Sequence, residues 1–178
     1  YGRMVAASCT FSDLGFDPFV FLNENNDIVE GYFYKNYSTG GSDRMYLSAS
    51  NAGRIDYFRA TIETWYTNQQ INENEYRYLL ACLIESVSFV SNTAGVYGAF
   101  LKKWDERALK PIQFMDLSDG IEPTHKIGIN TSKIEDIIAN VQCNILYLDP
   151  PYTQNQYGTQ YHLLETLVLN DCPKKISK

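Results

Sequence analysis

Four apolar residues, Ile145-Leu146-Tyr147-Leu148, run directly into Asp149-Pro150-Pro151-Tyr152, and this junction constrains the fold more than any other stretch. A short apolar run bounded by breakers reads as a buried strand, and proline stops a strand cleanly because it cannot donate to a ladder. On the residues alone two readings stand. One is a simple strand-stop. The other is chemical: two prolines fix φ and remove two backbone N–H groups, leaving the Asp149 and Pro150 carbonyls on a stiff backbone. With the Asp149 carboxylate they form a cluster of acceptors without donors. Such a cluster suits a neutral NH₂ group whose lone pair must leave conjugation with a ring, and Tyr152 offers that ring a flat face. In an open α/β sheet, ligands bind beyond the carboxyl ends of the strands, where this tetrapeptide would lie.

The rest of the chain is read around that strand. Residues 112–115 and 126–129 read as further short strands, Ile134, Ile137, Ile138 and Val141 as a helical stripe, and 161–169 as a helix. Strand and helix in alternation is the signature of an α/β layer, here part of a doubly wound sheet. Upstream, residues 18–34 read as a hairpin turning at Asn23–Asp27, and 37–43 as a loop. Ile55, Phe58, Ile62 and Trp65 form one apolar stripe on a helix over 50–69. Asn72 with Glu75 makes a capping box for a second helix, whose buried face is Tyr76, Leu79, Leu80, Leu83, Ile84, Val87 and Val90. A short polar turn between the two predicts an antiparallel pair. Ser91–Gly98 breaks the period, a shorter helix runs to about Leu109, and Pro111 marks a boundary. Residues 1–110 are thus a hairpin plus helical insert, and 111–178 the motif-bearing half of an α/β domain.

Composition narrows the function. The 178 residues are 44% hydrophobic and 20% charged, enough for one domain with a core. The net charge of −6 excludes a uniformly basic nucleic-acid coat, but not a locally basic groove. Lys102, Lys103, Arg107 and Lys110 outnumber Asp105 and Glu106 and read either as a solvated helix face or as phosphate contacts, with Asn92 and Tyr97 in the adjoining loop as polar and aromatic candidates. The 14 tyrosines are packing residues or stacking platforms for bases. Four scattered cysteines and two histidines make a zinc site improbable and suggest reduced thiols in a cytoplasmic protein. No apolar run is long enough to span a membrane, and no leader is visible. Asn130 and Ser132 sit where a helix N-cap is expected. His162 reads as a packed helix residue rather than a base.

The segment from Ile145 to Tyr152 resembles the signature of amino-group DNA methyltransferases, in the acidic form usual for adenine-N6 enzymes. Gln156-Tyr157, Tyr161-His-Leu-Leu-Glu165, Arg44-Met-Tyr-Leu-Ser48, Asn51-Ala-Gly-Arg-Ile-Asp56 and Ser91 through Trp104 resemble the Dam-like (alpha-order) class. The resemblance implies a Rossmann-like methyltransferase sheet with a helical target-recognition insert. It implies S-adenosylmethionine as cofactor, and double-stranded DNA as partner with the target adenine flipped out. Asp149, Pro150, Pro151 and Tyr152 then carry catalysis; Asn130, Ser132 and Asp149 face the cofactor; Asn92, Tyr97, Lys102, Lys103 and Tyr157 face DNA. A restriction endonuclease counterpart is implied by association. The class's Gly-rich Phe-x-Gly-x-Gly cofactor loop is missing from this sequence, so the expectation is a fragment of a longer enzyme, inactive alone. The alternatives are a non-catalytic DNA-binding subunit, or methylation of RNA, cytosine N4 or protein Gln.

Overall fold

A computed structural model describes residues 9–118, 130, 132–149 and 157–176. The strand expected at 126–129, together with Pro150, Pro151, Tyr152 and Gln156, lies outside the described residues.

Two long helices form the centre. Helix α3 (Ala49–Thr67) starts at Ser48, whose hydroxyl accepts from Asn51 N–H. Its stripe Ile55, Phe58, Ile62 and Trp65 is buried, as the spacing predicts. It ends in a Schellman arrangement: Gln70 N–H donates to Trp65 C=O and Gln69 N–H to Tyr66 C=O. The residue held in the left-handed region there is Gln69, at φ 58°, where glycine is usual. Helix α4 (Glu73–Val90) begins with the predicted capping box, Asn72 and Glu75 satisfying each other's backbone N–H. Leu79, Leu80, Leu83, Val87 and Val90 of the expected face are buried, as are Tyr78, Cys82 and Ser86, while Tyr76 and Ile84 are half-buried.

The hairpin expected at 18–34 is not formed. Its two arms are helices, α1 (Pro18–Glu24) and α2 (Tyr32–Tyr37). The first was legible: Asp17 Oδ1 accepts from Phe19 and Val20 N–H, and Pro18 stands at the first helical position. The second was not. Its N-terminus is capped by Asp56 of α3, whose carboxylate accepts from Phe33 and Tyr34 N–H at 3.0 and 2.7 Å. Between them the chain crosses α3 at Gly53, where Val29 N–H donates to Gly53 C=O and a Cβ would run into Ile28. Only glycine permits that approach.

The doubly wound, Rossmann-like sheet is likewise not seen. Among the described residues the single ladder contact is an isolated parallel bridge between Ser38 and Leu47. Residues 112–115 form no strand, and side chains bind their backbone instead. Asn23 exchanges both amide bonds with the Phe114 backbone, Asn51 Oδ1 accepts from Ile112 N–H, and Ser86 Oγ accepts from Met115 N–H. Among the described residues the motif run 145–148 has no strand partner, and Ile145 and Tyr147 are 87% and 85% exposed. An apolar pattern expresses a strand only when a ladder satisfies its backbone and a layer covers its faces.

Downstream, the stripe at 134–141 forms one α-turn, α6 (Ile134–Ile137), and a 3₁₀ turn (Ile138–Asn140), with Ile134, Ile138 and Val141 exposed. The helix expected to reach Leu109 shrinks to α5 (Glu106–Leu109), capped by Asp105. Two helices follow the motif, α7 (Tyr157–Gln160) and α8 (His162–Leu169). Leu163 and Leu167 of α8 join the α3–α4 core, as do Ile112 and Phe114. No disulfide joins the four cysteines. Among the described residues no helix is long and apolar enough to cross a membrane, and no cluster of His, Cys, Asp or Glu could hold a metal ion.

Candidate nucleic-acid interface and motif segment

Where α4 ends, the chain enters a loop built around Asn92, which is completely buried. Its Nδ2 donates to Met45 C=O and Leu101 C=O, both at 3.0 Å. Its Oδ1 accepts from Asp105 N–H at 3.0 Å. Its backbone N–H donates to Tyr46 C=O and its carbonyl accepts from Leu101 N–H, which closes the loop 92–101 at the foot. The Asn92 carboxamide is therefore an internal tie, with no atom turned to solvent. Tyr97 is buried too. Its hydroxyl lies 3.1 Å from Ser91 Oγ and donates to Ser88 Oγ. Its N–H donates to Gln160 C=O at 2.6 Å, which fastens the loop to α7, a few residues after the Asp-Pro-Pro-Tyr motif.

Lys102 and Lys103 follow the loop's foot directly and are exposed, as is Lys110. Arg107 is half-buried, and its guanidinium donates to Ser91 C=O, bracing the same foot. Tyr157, 62% exposed, stacks on Tyr161 with ring centroids 6.0 Å apart. The backbone bond between Tyr97 and Gln160 thus joins the loop to α7, the helix on which Tyr157 stands.

Asp149 is exposed at the end of the described stretch. Asn130 and Ser132 are exposed, and Asn130 Oδ1 accepts from Ser132 N–H at 2.8 Å. The N-cap of α6 is Lys133, without a side-chain cap, so neither residue caps the helix as expected. His162 is packed: its ring stacks on Tyr37 and meets Tyr46 edge-on, and its Nδ1 lies 2.9 Å from the Tyr37 hydroxyl. Burial holds its pKa below the ordinary histidine value. The same burial raises Tyr37 well above the usual phenol range.

The structure adds polar residues that periodicity missed, all on α3. Asn51 ties Ala108, Lys110 and Ile112 to the helix. Arg54 donates to the carbonyls of Leu22 and Asp27, with its guanidinium 4.5 Å from the Phe58 ring centroid. Asp56 caps α2, and burial raises its pKa although backbone N–H groups pull it down. Arg59 donates to Leu167 C=O near the end of α8, to the Tyr76 hydroxyl and to Glu63. A cavity of about 520 Å³ opens between Asp56, Arg59, Glu63, Tyr32 and Cys172. A second, of about 460 Å³, lies between Phe11, Phe19, Tyr78 and Asp116. The capping and bridging roles had one readable signal, the clustering of Asn, Arg, Asp and Arg at 51, 54, 56 and 59 on a helix otherwise facing a core.

The chain belongs to the D12 class of N6 adenine-specific DNA methyltransferases, whose family model matches residues 12–176. It is 44% identical over 168 residues to the Type II methyltransferase M.FokI of Planomicrobium okeanokoites, a match covering 91% of this chain and 25% of that protein. It is 39% identical over 158 residues to Modification methylase StsI of Streptococcus sanguinis, covering 88% and 24%. With the Type II methyltransferase M.NlaIII of Neisseria lactamica it shares 42% identity over 149 residues, covering 80% and 42%. The chain therefore spans a quarter to under half the length of these relatives. No solved structure matches it. Methyltransferase families in general draw the methyl group from S-adenosylmethionine. Asn130, Ser132 and Asp149, the residues expected to face that donor, are exposed.

Proposed function

We propose that the chain is part of a site-specific DNA methyltransferase that methylates N6 of a flipped-out adenine, with S-adenosylmethionine as donor. The observation that carries this is Asp149-Pro150-Pro151-Tyr152 in a chain of the D12 family. Residues 1–110 serve target recognition and 111–178 carry the motif. Bound, the donor supplies an electrophilic methyl group. The chain's own work is to receive the base and prepare its amino group. Tyr152 stacks on the extruded ring. The Asp149 carboxylate and Pro150 carbonyl accept hydrogen bonds from N6, which draws its lone pair out of the ring as positive charge develops. The contribution is positioning and electrostatic preorganisation, with no covalent nucleophile.

The DNA side is the region around loop 92–101. Lys102 and Lys103 meet phosphates, Tyr157 offers an exposed ring, and Asn92 and Tyr97 serve the interface by holding the loop in shape. The modification-methylase names of the relatives support a restriction endonuclease as the counterpart whose sites this methylation protects.

The test is single-turnover transfer of labelled methyl to duplex DNA by the complete protein that carries this chain. Asp149→Asn puts an NH₂ donor where an acceptor is required, and should slow transfer by about 10²–10³, the usual effect of losing one preorganised partner. Transfer at the parent rate would make the motif a strand-stop only. DNA binding by the parent without any transfer would make the protein a binding module.

A further inference from the structure

We propose that Arg59 is a positioning residue for methyl transfer: from α3 it holds the far end of α8, and with it the segment that follows Asp-Pro-Pro-Tyr, against the helical region upstream. The inference rests on the function proposed above.

Only Thr153 to Gln156 separate Tyr152 from the start of α7 in the chain. From there the backbone is stiff. Tyr161 N–H donates to Tyr157 C=O and Glu165 N–H to Tyr161 C=O, so hydrogen bonds run through the junction of α7 and α8. A shift of α8 is therefore passed to Tyr157, next to the motif in sequence. Residues of the 1–110 region hold this rod and its exit along its whole length. Tyr97 N–H donates to Gln160 C=O at 2.6 Å. The Tyr37 hydroxyl meets His162 Nδ1 at 2.9 Å. Arg59 Nε donates to Leu167 C=O at 2.8 Å, and the Tyr32 hydroxyl to Pro173 C=O at 2.9 Å.

Arg59 joins the most at one place. Its guanidinium is buried, and besides Leu167 it donates to the Tyr76 hydroxyl at 2.9 Å and to Glu63 at 2.6 Å, so one fork links α3, α4 and α8. It stands at the carbonyl end of α8, where a cation is favoured. Stability alone does not call for such a group, because replacing a buried ion pair by apolar side chains is often neutral or stabilising. What a planar fork adds is direction, since it fixes the angle of its acceptors as well as their distance. A misplacement of about 1 Å, caused far from the chemistry, can cost about a hundredfold in rate. Direction at α8 is thus worth more to the reaction than to the core.

The experiment uses the complete protein and a duplex containing its methylated site, mapped on the parent enzyme. Arg59→Lys keeps the charge but cannot reach all its acceptors at once. Tyr37→Phe keeps the ring stacked on His162 and removes only the hydroxyl. With DNA and methyl donor saturating, Arg59→Lys should slow single-turnover transfer by about tenfold to hundredfold, and Tyr37→Phe by roughly threefold to tenfold. The dissociation constant for DNA should stay within about twofold of the parent, because the loss belongs to the chemical step. Amides of 157–170 should exchange faster in both variants while those of α3 stay protected. Where Arg59→Lys does not fold, Tyr37→Phe decides alone. Parent-rate transfer by the folded variants overturns the inference. So does a loss that appears as weaker DNA binding and vanishes at saturating DNA, which would make the clasp a support of the binding surface only. Either result with an active parent leaves adenine methylation standing, whereas a parent that methylates no adenine removes both.

Discussion

Asn92→Ala is the perturbation that best separates a residue that touches DNA from one that builds the surface touching it. The side chain holds Met45 C=O, Leu101 C=O and Asp105 N–H, each at 3.0 Å, from a fully buried position. Each lost bond costs about 1 kcal/mol net, more where a buried partner is left unpaired. Three together therefore destabilise the closed loop by about 3 kcal/mol, or roughly a hundredfold in its opening equilibrium. The assay is hydrogen exchange by mass spectrometry on the complete protein without DNA, read on peptides covering 91–105. Those amides should exchange about two orders of magnitude faster, while the α3 amides stay protected. Asn92→Asp keeps the acceptor for Asp105 but points a second oxygen at two carbonyls, and should open the loop as much. If exchange in 91–105 is unchanged and only DNA affinity falls, the internal-tie argument is wrong and Asn92 is a direct contact.

Lys102→Ala with Lys103→Ala should weaken DNA binding on all sequences alike and reduce the salt slope by about one to two units; an unchanged slope would return both lysines to a solvated face. Gln69→Gly should raise the melting temperature, because relief of left-handed strain outweighs the added chain entropy by about 0.5–1 kcal/mol; a lower melting temperature would refute that balance. The buried His162 ring stays neutral to lower pH than an unfolded histidine, whose pKa is about 6.5. Its contribution is therefore complete above that pH and is lost as the pH falls toward the native value. His162→Phe keeps a ring in place and should flatten the decline in stability between pH 6.5 and 5, measured by denaturant titration; equal slopes would assign the decline to other groups.

Helices α3 and α4 were determined by the sequence alone, because their signals are local: an apolar stripe every three or four residues and a capping box that closes within one turn. The donor-free acceptor cluster proposed for the Asp-Pro-Pro-Tyr motif is a reading of the residue types alone. Asp17-Pro18 carried the same kind of local signal for α1, though the apolar run after it reads more readily as a strand. Helix α2 is different. Its N-terminal N–H groups are satisfied by Asp56, more than twenty residues away, and no local pattern reports a cap delivered from another helix. The tertiary structure also decided what the family-like polar residues do. Asn51, Arg54, Asp56 and Arg59 of α3 and Asn92 in the loop point inward and bind backbone groups of other segments, whereas periodicity registers only the apolar side of a helix. It decided the state of 145–148 as well. A short apolar run bounded by breakers suits those residues to a strand, but a strand exists only with a partner for its backbone, and among the described residues none is beside it.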